Sequence, residues 1–251
     1  MSRIWLTGAS SGIGAALAER LLAAGHSLAV TARQTAALQS LAERYGERVL
    51  LVPGDVSDAG QVDQIARCIR QAWGALDRVV LCAGTCEYLE PGQFDAALVQ
   101  RVMKTNLFGA ALCIQACVPL LRQGLRPHLV VIGSAVTWLA LPRAGAYGAS
   151  KAALRYLLES LRIDLAAEAI DTTLVSPGFV DTPLTRRNDF PMPMLWPVER
   201  AAEHIVQSLE ARPLELAFPR RFVLLLRLLG LLPARWRLSL GRRLARRPAE
   251  A

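Results

Sequence analysis

Short runs of apolar, often β-branched residues alternate along this chain with longer stretches whose apolar positions recur at helical spacing. Residues 3–7 (RIWLT), 27–31 (SLAVT), 49–52, 78–82 (RVVLC), 128–132 (HLVVI) and 172–176 read as strands. Between them, residues 12–24, 36–45, 59–73, two stretches over 93–123, and 144–168 read as helices. Gly25 offers a C-cap for the first helix, and Ser57 or Asp58 an N-cap for the third. The strands are continuously apolar, as strands buried on both faces are. Alternating strands and helices of this kind predict an α/β fold: a doubly wound parallel sheet with helices on both sides.

Composition narrows the class. With 251 residues, 53% of them apolar, the chain is long enough for one α/β domain with a sizeable core. Five cysteines, an odd number, suggest no paired disulfide framework, and the opening MSRIWLTGAS lacks the shape of a signal peptide. A cytoplasmic protein is therefore expected. The formal charge of +8 is unevenly placed: residues 219–251 hold nine arginines and one acid, Glu250. That leaves residues 1–218 with equal numbers of basic and acidic side chains. A neutral body argues against a nucleic-acid partner. The chain thus divides into a body, 1–218, and a basic tail, 219–251.

The first strand runs into Thr7-Gly8-Ala9-Ser10-Ser11-Gly12-Ile13-Gly14 at the start of a helix. Glycines there let the chain turn tightly, bring backbone N–H groups close to a diphosphate, and pack the helix on the sheet. At the end of the second strand, where an acid would grip a ribose 2′-hydroxyl, the sequence has Ala32-Arg33. A guanidinium suits a 2′-phosphate, which favours NADP(H) over NAD(H); the alternative is a solvated residue at a helix entry. Tyr147 and Lys151 fall one helical turn apart, where an ammonium would favour the phenolate. Lys151 is one of only two lysines in the chain. Ser134 follows the fifth strand at the carboxyl edge of the sheet, where ligands sit in such folds.

Taken in order, TGASSGIG at 7–14, Asp55-Val56, Ala83-Gly84, Asn106, Ser134, Tyr147-x-x-x-Lys151 and Pro177-Gly178 with Thr182 resemble the short-chain dehydrogenase/reductase family. The resemblance covers about residues 3–210. It implies a Rossmann sheet of about seven parallel strands and an NAD(P)-dependent oxidoreductase acting between an alcohol and a carbonyl. It further implies that Tyr147 is the acid/base, that Ser134 holds the substrate oxygen, and that Lys151 binds the nicotinamide ribose and lowers the tyrosine pKa. Asn106 would hold a water linking Lys151 to a proton relay. Asp55 and Val56 would contact the adenine, and Val180 and Thr182 the carboxamide, with Ala83, Gly84, Pro177 and Gly178 also bordering the cofactor. Homodimers and homotetramers are usual for proteins of this kind.

Two departures stand out. The family's Asn-Asn-Ala-Gly after the fourth strand is Leu81-Cys82-Ala83-Gly84 here, so the Asn that ties that strand to its neighbour is missing. The family's C-terminal strand and glycine-rich ending give way to Glu215-Leu-Ala-Phe218 and the basic tail. The pairs Cys82/Cys86 and Cys113/Cys117 have no nearby His, so no metal site is expected and these read as thiols in or near the core. A redox role for Cys82 is the alternative.

The resemblance puts the substrate over residues 85–90, 135–142 and 179–196. The last carries Phe190-Pro-Met-Pro-Met-Leu-Trp196, which reads as a mobile, Met-rich flap. Polar anchors are few (Glu87, Glu90, Arg143, Arg186, Arg187), which fits a small hydrophobic carbonyl or alcohol. Core or subunit contacts are the alternative use of these apolar groups. In the tail, the run 222–232 is too short to cross a bilayer and is interrupted by Arg227. After Pro233, Arg235, Arg242 and Arg246 face one way and Trp236, Leu240 and Leu244 another, with Arg237 near the apolar side. Such a helix suits contact with a membrane surface, peripherally at its inner face; packing on the pocket or on a partner subunit is the alternative. The competing function is a non-catalytic NADP(H) sensor that docks through this tail.

Overall fold

A computed structural model describes residues 1–245. Seven parallel strands form one sheet in the order β3-β2-β1-β4-β5-β6-β7. They are β1 (Arg3–Thr7), β2 (Ser27–Thr31), β3 (Val49–Leu51), β4 (Arg78–Leu81), β5 (His128–Ile132), β6 (Asp171–Pro177) and β7 (Glu215–Phe218). The helices are α1 (Gly12–Ala23), α2 (Ala36–Tyr45), α3 (Ala59–Trp73), α4 (Ala96–Met103), α5 (Gly109–Leu121), α6 (Gly145–Ala166), α7 (Val198–Leu209), α8 (Arg220–Gly230) and α9 (Ala234–Leu244). Strand pleating explains the layers: Ile4 and Leu6 point to one face with α1, α2 and α7, and Trp5 to the other with α3, α5 and α6. Each face is a fully buried apolar core, so the strands lack polar alternation.

Between β1 and β4 the direction of winding reverses. At that point the carboxyl ends of the two strands splay and leave a crevice. Asp58, and not Ser57, caps α3, accepting the Gln61 N–H at 3.0 Å. Helices α4 and α5 are joined by a single π-turn, Lys104–Phe108, which carries Asn106. Residues 96–121 are thus nearly continuous, and are long and apolar enough to span a bilayer by composition alone. Their inner face, with Val102, Cys113, Cys117 and Leu120, is buried in the body.

Three features differ from the sequence expectations. Glu215–Phe218 does not replace the last strand; it is β7, paired in parallel with β6 from Leu174↔Glu215 to Pro177↔Phe218. Its four residues are short and three of them only half-buried, a weak strand signal. Helix α7 was not anticipated, although Ala201, Ala202, Ile205 and Leu209 form its buried stripe. The tail is two helices with different surroundings. The inner face of α8 (Phe222, Val223, Leu226) is buried against Ala135 and Leu139, whereas none of the residues of α9 is fully buried. Leu240 turns inward to that same cluster. Arg246, Arg247 and Glu250 lie outside the described residues.

Candidate active site

The glycine turn is set by backbone against backbone. Gly8 has φ +72°, and a Cβ on it would sit 2.8 Å from the Ala83 backbone. A Cβ on Gly14 would sit 2.1 Å from the Gly8 carbonyl oxygen. Neither position tolerates a side chain, so the N-terminus of α1 is pressed close to the end of β1 with its amides facing the crevice. Thr7, the first residue of the motif, fastens the neighbouring strand end in spite of the missing Asn. Its Oγ1 accepts the N–H groups of Cys82 and Ala83, each at 3.1 Å, and ties the end of β4 to β1.

The crevice opens into a cavity of about 970 Å³. Gly8, Ser10, Ser11, Gly12, Ile13 and Gly14 line one side, with Arg33, Asp55 and Val56 beside them. Ala83, Gly84, Ser134, Tyr147, Lys151, Pro177, Gly178, Val180 and Thr182 line the rest. Glu87 and Arg187, two of the expected polar anchors, also reach it, as do Arg101 and Lys104, which were not anticipated. Lys104 had one available signal, being the only other lysine in the chain. Burial raises the Asp55 carboxyl, but hydrogen bonds from Ser57 and the charges of Arg33 and Lys104 outweigh it and hold the group below its usual pKa. Arg33 and Lys104 therefore converge on one anion-friendly corner.

Asn106 is the exception among the expected contacts: it is 1% exposed and lies behind the wall. Its Oδ1 accepts the Thr85 N–H at 2.8 Å. Its Nδ2 donates to the Thr85 carbonyl and to Ser150 Oγ, both at 2.9 Å. The side chain is thereby engaged in holding Thr85 to α6. Asn106 Oδ1 and Lys151 Nζ both lie beside Gly84.

Tyr147 and Ser134 both line the cavity, and Ser134 Oγ accepts the Val136 N–H at 3.2 Å. Lys151 Nζ donates to the Ile132 carbonyl at 2.8 Å and lies 5.9 Å from the centre of the Tyr147 ring. Burial lowers the Lys151 ammonium to about 8, against the opposing pull of Cys82 and Cys86. Burial also raises the Tyr147 phenol above its ordinary value, with the neighbouring Ser134 hydroxyl pulling the other way. In the chain alone, desolvation is the largest influence on each of the two groups.

Burial pushes the Cys82 thiol up to about 11 and Cys113 up to about 12, and raises Cys86 and Cys117 as well. These are poor nucleophiles at neutral pH. Among the described residues, no group of three or more His, Cys, Asp or Glu side chains is arranged to hold a metal ion.

At the substrate end, most of the expected polar anchors are already paired. Arg143 bonds Glu90 and Asp189, both at 2.8 Å, and lies 5.6 Å from the Tyr88 ring centre. Glu87 pairs with Arg101 at 3.0 Å and Arg186 with Asp181 at 2.8 Å. Phe190 packs edge-on to Tyr88 at 5.6 Å and lies 6.1 Å from Phe179. The base of the 179–196 segment is pinned, with the Trp196 N–H bonding Phe179 O at 3.0 Å and Asp181 N–H bonding Trp196 O at 2.8 Å. The Tyr88, Phe179 and Phe190 rings thus form one aromatic group beside these pairs.

The residues fit a dinucleotide: a side-chain-free cradle at a helix N-terminus, a cationic corner, and a Tyr–Ser pair at the far end of one continuous cavity. Comparison with known proteins agrees. A family model described as short chain dehydrogenase matches residues 2–190. An uncharacterized oxidoreductase of Myxococcus xanthus is 34% identical over 231 residues, 91% of each chain. The 11-beta-hydroxysteroid dehydrogenase 1A of Arabidopsis thaliana is 34% identical over 192 residues, 74% of this chain and 54% of the relative. A crystal structure of a short chain dehydrogenase from Burkholderia cenocepacia J2315 in complex with NADP superposes with a TM-score of 0.82 at 25% identity, covering 98% of both chains. The chain belongs to the short-chain dehydrogenase/reductase family, Rossmann-fold NAD(P)-dependent oxidoreductases acting on CH–OH groups.

Proposed function

We propose that this protein uses NADP(H) to interconvert a hydrophobic alcohol and its ketone or aldehyde, with Tyr147 as the acid/base. The observation that carries the reading is that Tyr147, Ser134 and Lys151 line the same cavity as the glycine cradle. The dinucleotide, when bound, supplies or accepts the hydride. Ser134 fixes the substrate oxygen by hydrogen bonding, and Tyr147 passes its phenolic proton to that oxygen on reduction or receives it on oxidation. Lys151, anchored on the Ile132 carbonyl beside the Tyr147 ring, would hold the ribose of a bound dinucleotide and carries a proton it can release near neutral pH. Arg33 and Lys104 at the cationic corner favour a 2′-phosphate. The paired anchors and the Phe179–Phe190–Tyr88 group favour an apolar substrate, as does the hydroxysteroid activity named for the Arabidopsis relative.

A homodimer or homotetramer fits the exposed Tyr156 and Ile163 on α6, which light scattering would check. For the function itself, the test is a panel of hydrophobic ketones, aldehydes and alcohols followed by cofactor absorbance. Turnover with NADPH and not NADH, lost in Tyr147→Phe, is the expected result. Full activity in that variant would overturn the mechanism. No turnover across the panel would return the chain to the sensor reading.

A further inference from the structure

The tail offers a surface that the catalytic reading leaves unexplained. Helix α8 has two apolar faces. Its inner face packs Phe222 on Phe179 at 5.5 Å and closes on the segment after Ser134, so closely that a Cβ on Gly230 would meet the Trp138 carbonyl oxygen at 2.3 Å. The helix is therefore fixed in rotation. Its outer face then presents Leu224, Leu225, Leu228 and, just past its end, Leu231, spaced to line one side and exposed by 57%, 48%, 55% and 82%. Helix α9 adds exposed Leu238 on the side away from the inward-turned Leu240, with exposed Trp236 and Leu244 flanking Leu240 at the margin of the body. An apolar patch of this extent on an otherwise ordinary soluble surface marks an interaction site.

Charge identifies the partner. The described part of the tail carries seven arginines and no acid, while residues 1–218 are balanced. Only Arg227 is turned back into the body, pairing with Glu215 at 2.7 Å. A second copy laid on this face would bring its own arginines against these. An anionic sheet with an apolar interior matches both properties at once: leucines and the indole enter the acyl boundary while guanidinium groups stay among the headgroups. We propose that α8 and α9 form a monotopic docking surface for an anionic lipid bilayer, lying in the interface rather than crossing it. The inner face of α8 packs on Phe179 and on the segment that follows Ser134, so docking sets those segments next to the membrane.

The test is co-sedimentation of the full-length protein with vesicles of phosphatidylglycerol and phosphatidylcholine, against phosphatidylcholine alone. Binding to the anionic vesicles should exceed binding to the neutral ones by about tenfold or more and fall at high salt. Leu224→Ser/Leu228→Ser and, separately, Arg235→Glu/Arg242→Glu should each cut it by about tenfold or more. Both should keep the wild-type melting temperature and NADPH affinity, since these side chains are exposed and lie away from the cofactor. Failure of the folded wild-type protein to bind, equal binding to both vesicle types, or unchanged binding in both variants would overturn the proposal. So would loss of self-association in the leucine variant without vesicle binding, which would assign the face to a second copy.

Discussion

At the glycine-turn end of the cavity, shape is set by main chain: Gly8 against Ala83, Gly14 against Gly8, and Thr7 holding the ends of two strands together. At the substrate end, shape is set by side chains on three separate segments: Arg143 with Glu90 and Asp189, Phe190 between Tyr88 and Phe179, and α8 behind them. The first construction permits few substitutions and serves any dinucleotide enzyme. The second can be rebuilt residue by residue without disturbing the first. The contrast gives a physical account of how one scaffold accepts many substrates.

The comparison can be broken most decisively where the two ends meet. Tyr147→Phe should lower kcat by about 10²–10⁴-fold while leaving the NADPH dissociation constant near wild type; loss of cofactor binding instead would show that the two ends are not separable. Gly8→Ala should cost about 2–4 kcal/mol in chemical denaturation, from a left-handed backbone and a Cβ driven onto Ala83. A melting curve unchanged by that substitution would refute the main-chain account.

Acid should challenge both ends equally through the scaffold. His128, at the opposite edge of the sheet, is lowered to about 3 by burial and by Arg78 and Arg212, and its Nε2 bonds Thr173 Oγ1 at 2.8 Å. A histidine with a depressed folded-state pKa stabilises the fold above its unfolded value of 6.5, and that contribution is lost as pH falls below it toward 3. Stability should therefore decline by about 1.4 kcal/mol per pH unit from this group below about pH 6.5. His128→Gln should flatten the slope in urea titrations run across that range.

Smaller effects sharpen the contrast. Arg33→Ala should raise the KM for NADPH by about tenfold or more with little change for NADH, since one charge-assisted contact is removed. Equal effects on the two cofactors would refute the 2′-phosphate assignment. Arg143→Ala should raise the substrate KM by roughly fivefold through loosening of a half-buried ion-pair clamp. Its NADPH affinity should stay unchanged, as measured by fluorescence titration.

The same division governs what could be read from the sequence. The sheet, its parallel sense and the glycine turn are local consequences of apolar runs and of residues without a Cβ, and the strands lie within a residue or so of expectation. Thr7 was visible in the motif but its service to Cys82 and Ala83 was not, because that bond spans about seventy-five positions. The clamp on Arg143 joins residues 46 and 53 positions apart, and no periodicity announces such a pair. Arg143, Glu90 and Arg186 looked like substrate anchors because a linear pattern shows charge without showing its partner. β7 was obscured by its brevity. The phenol went the other way because dryness, unlike proximity, has no signature in spacing.

Glu215 at the head of β7 receives Arg155 from the helix bearing Tyr147 and Lys151, Arg227 from α8, and the Ser176 hydroxyl at 3.1 Å. For anyone preparing this protein, that junction decides where the chain can be cut. An expression clone stopped at residue 218 would strand Glu215 without one of its two cations and lay bare the apolar shelf of Ala135, Trp138 and Leu139. Such material should aggregate, whereas a clone that retains the whole of α8 should stay in solution.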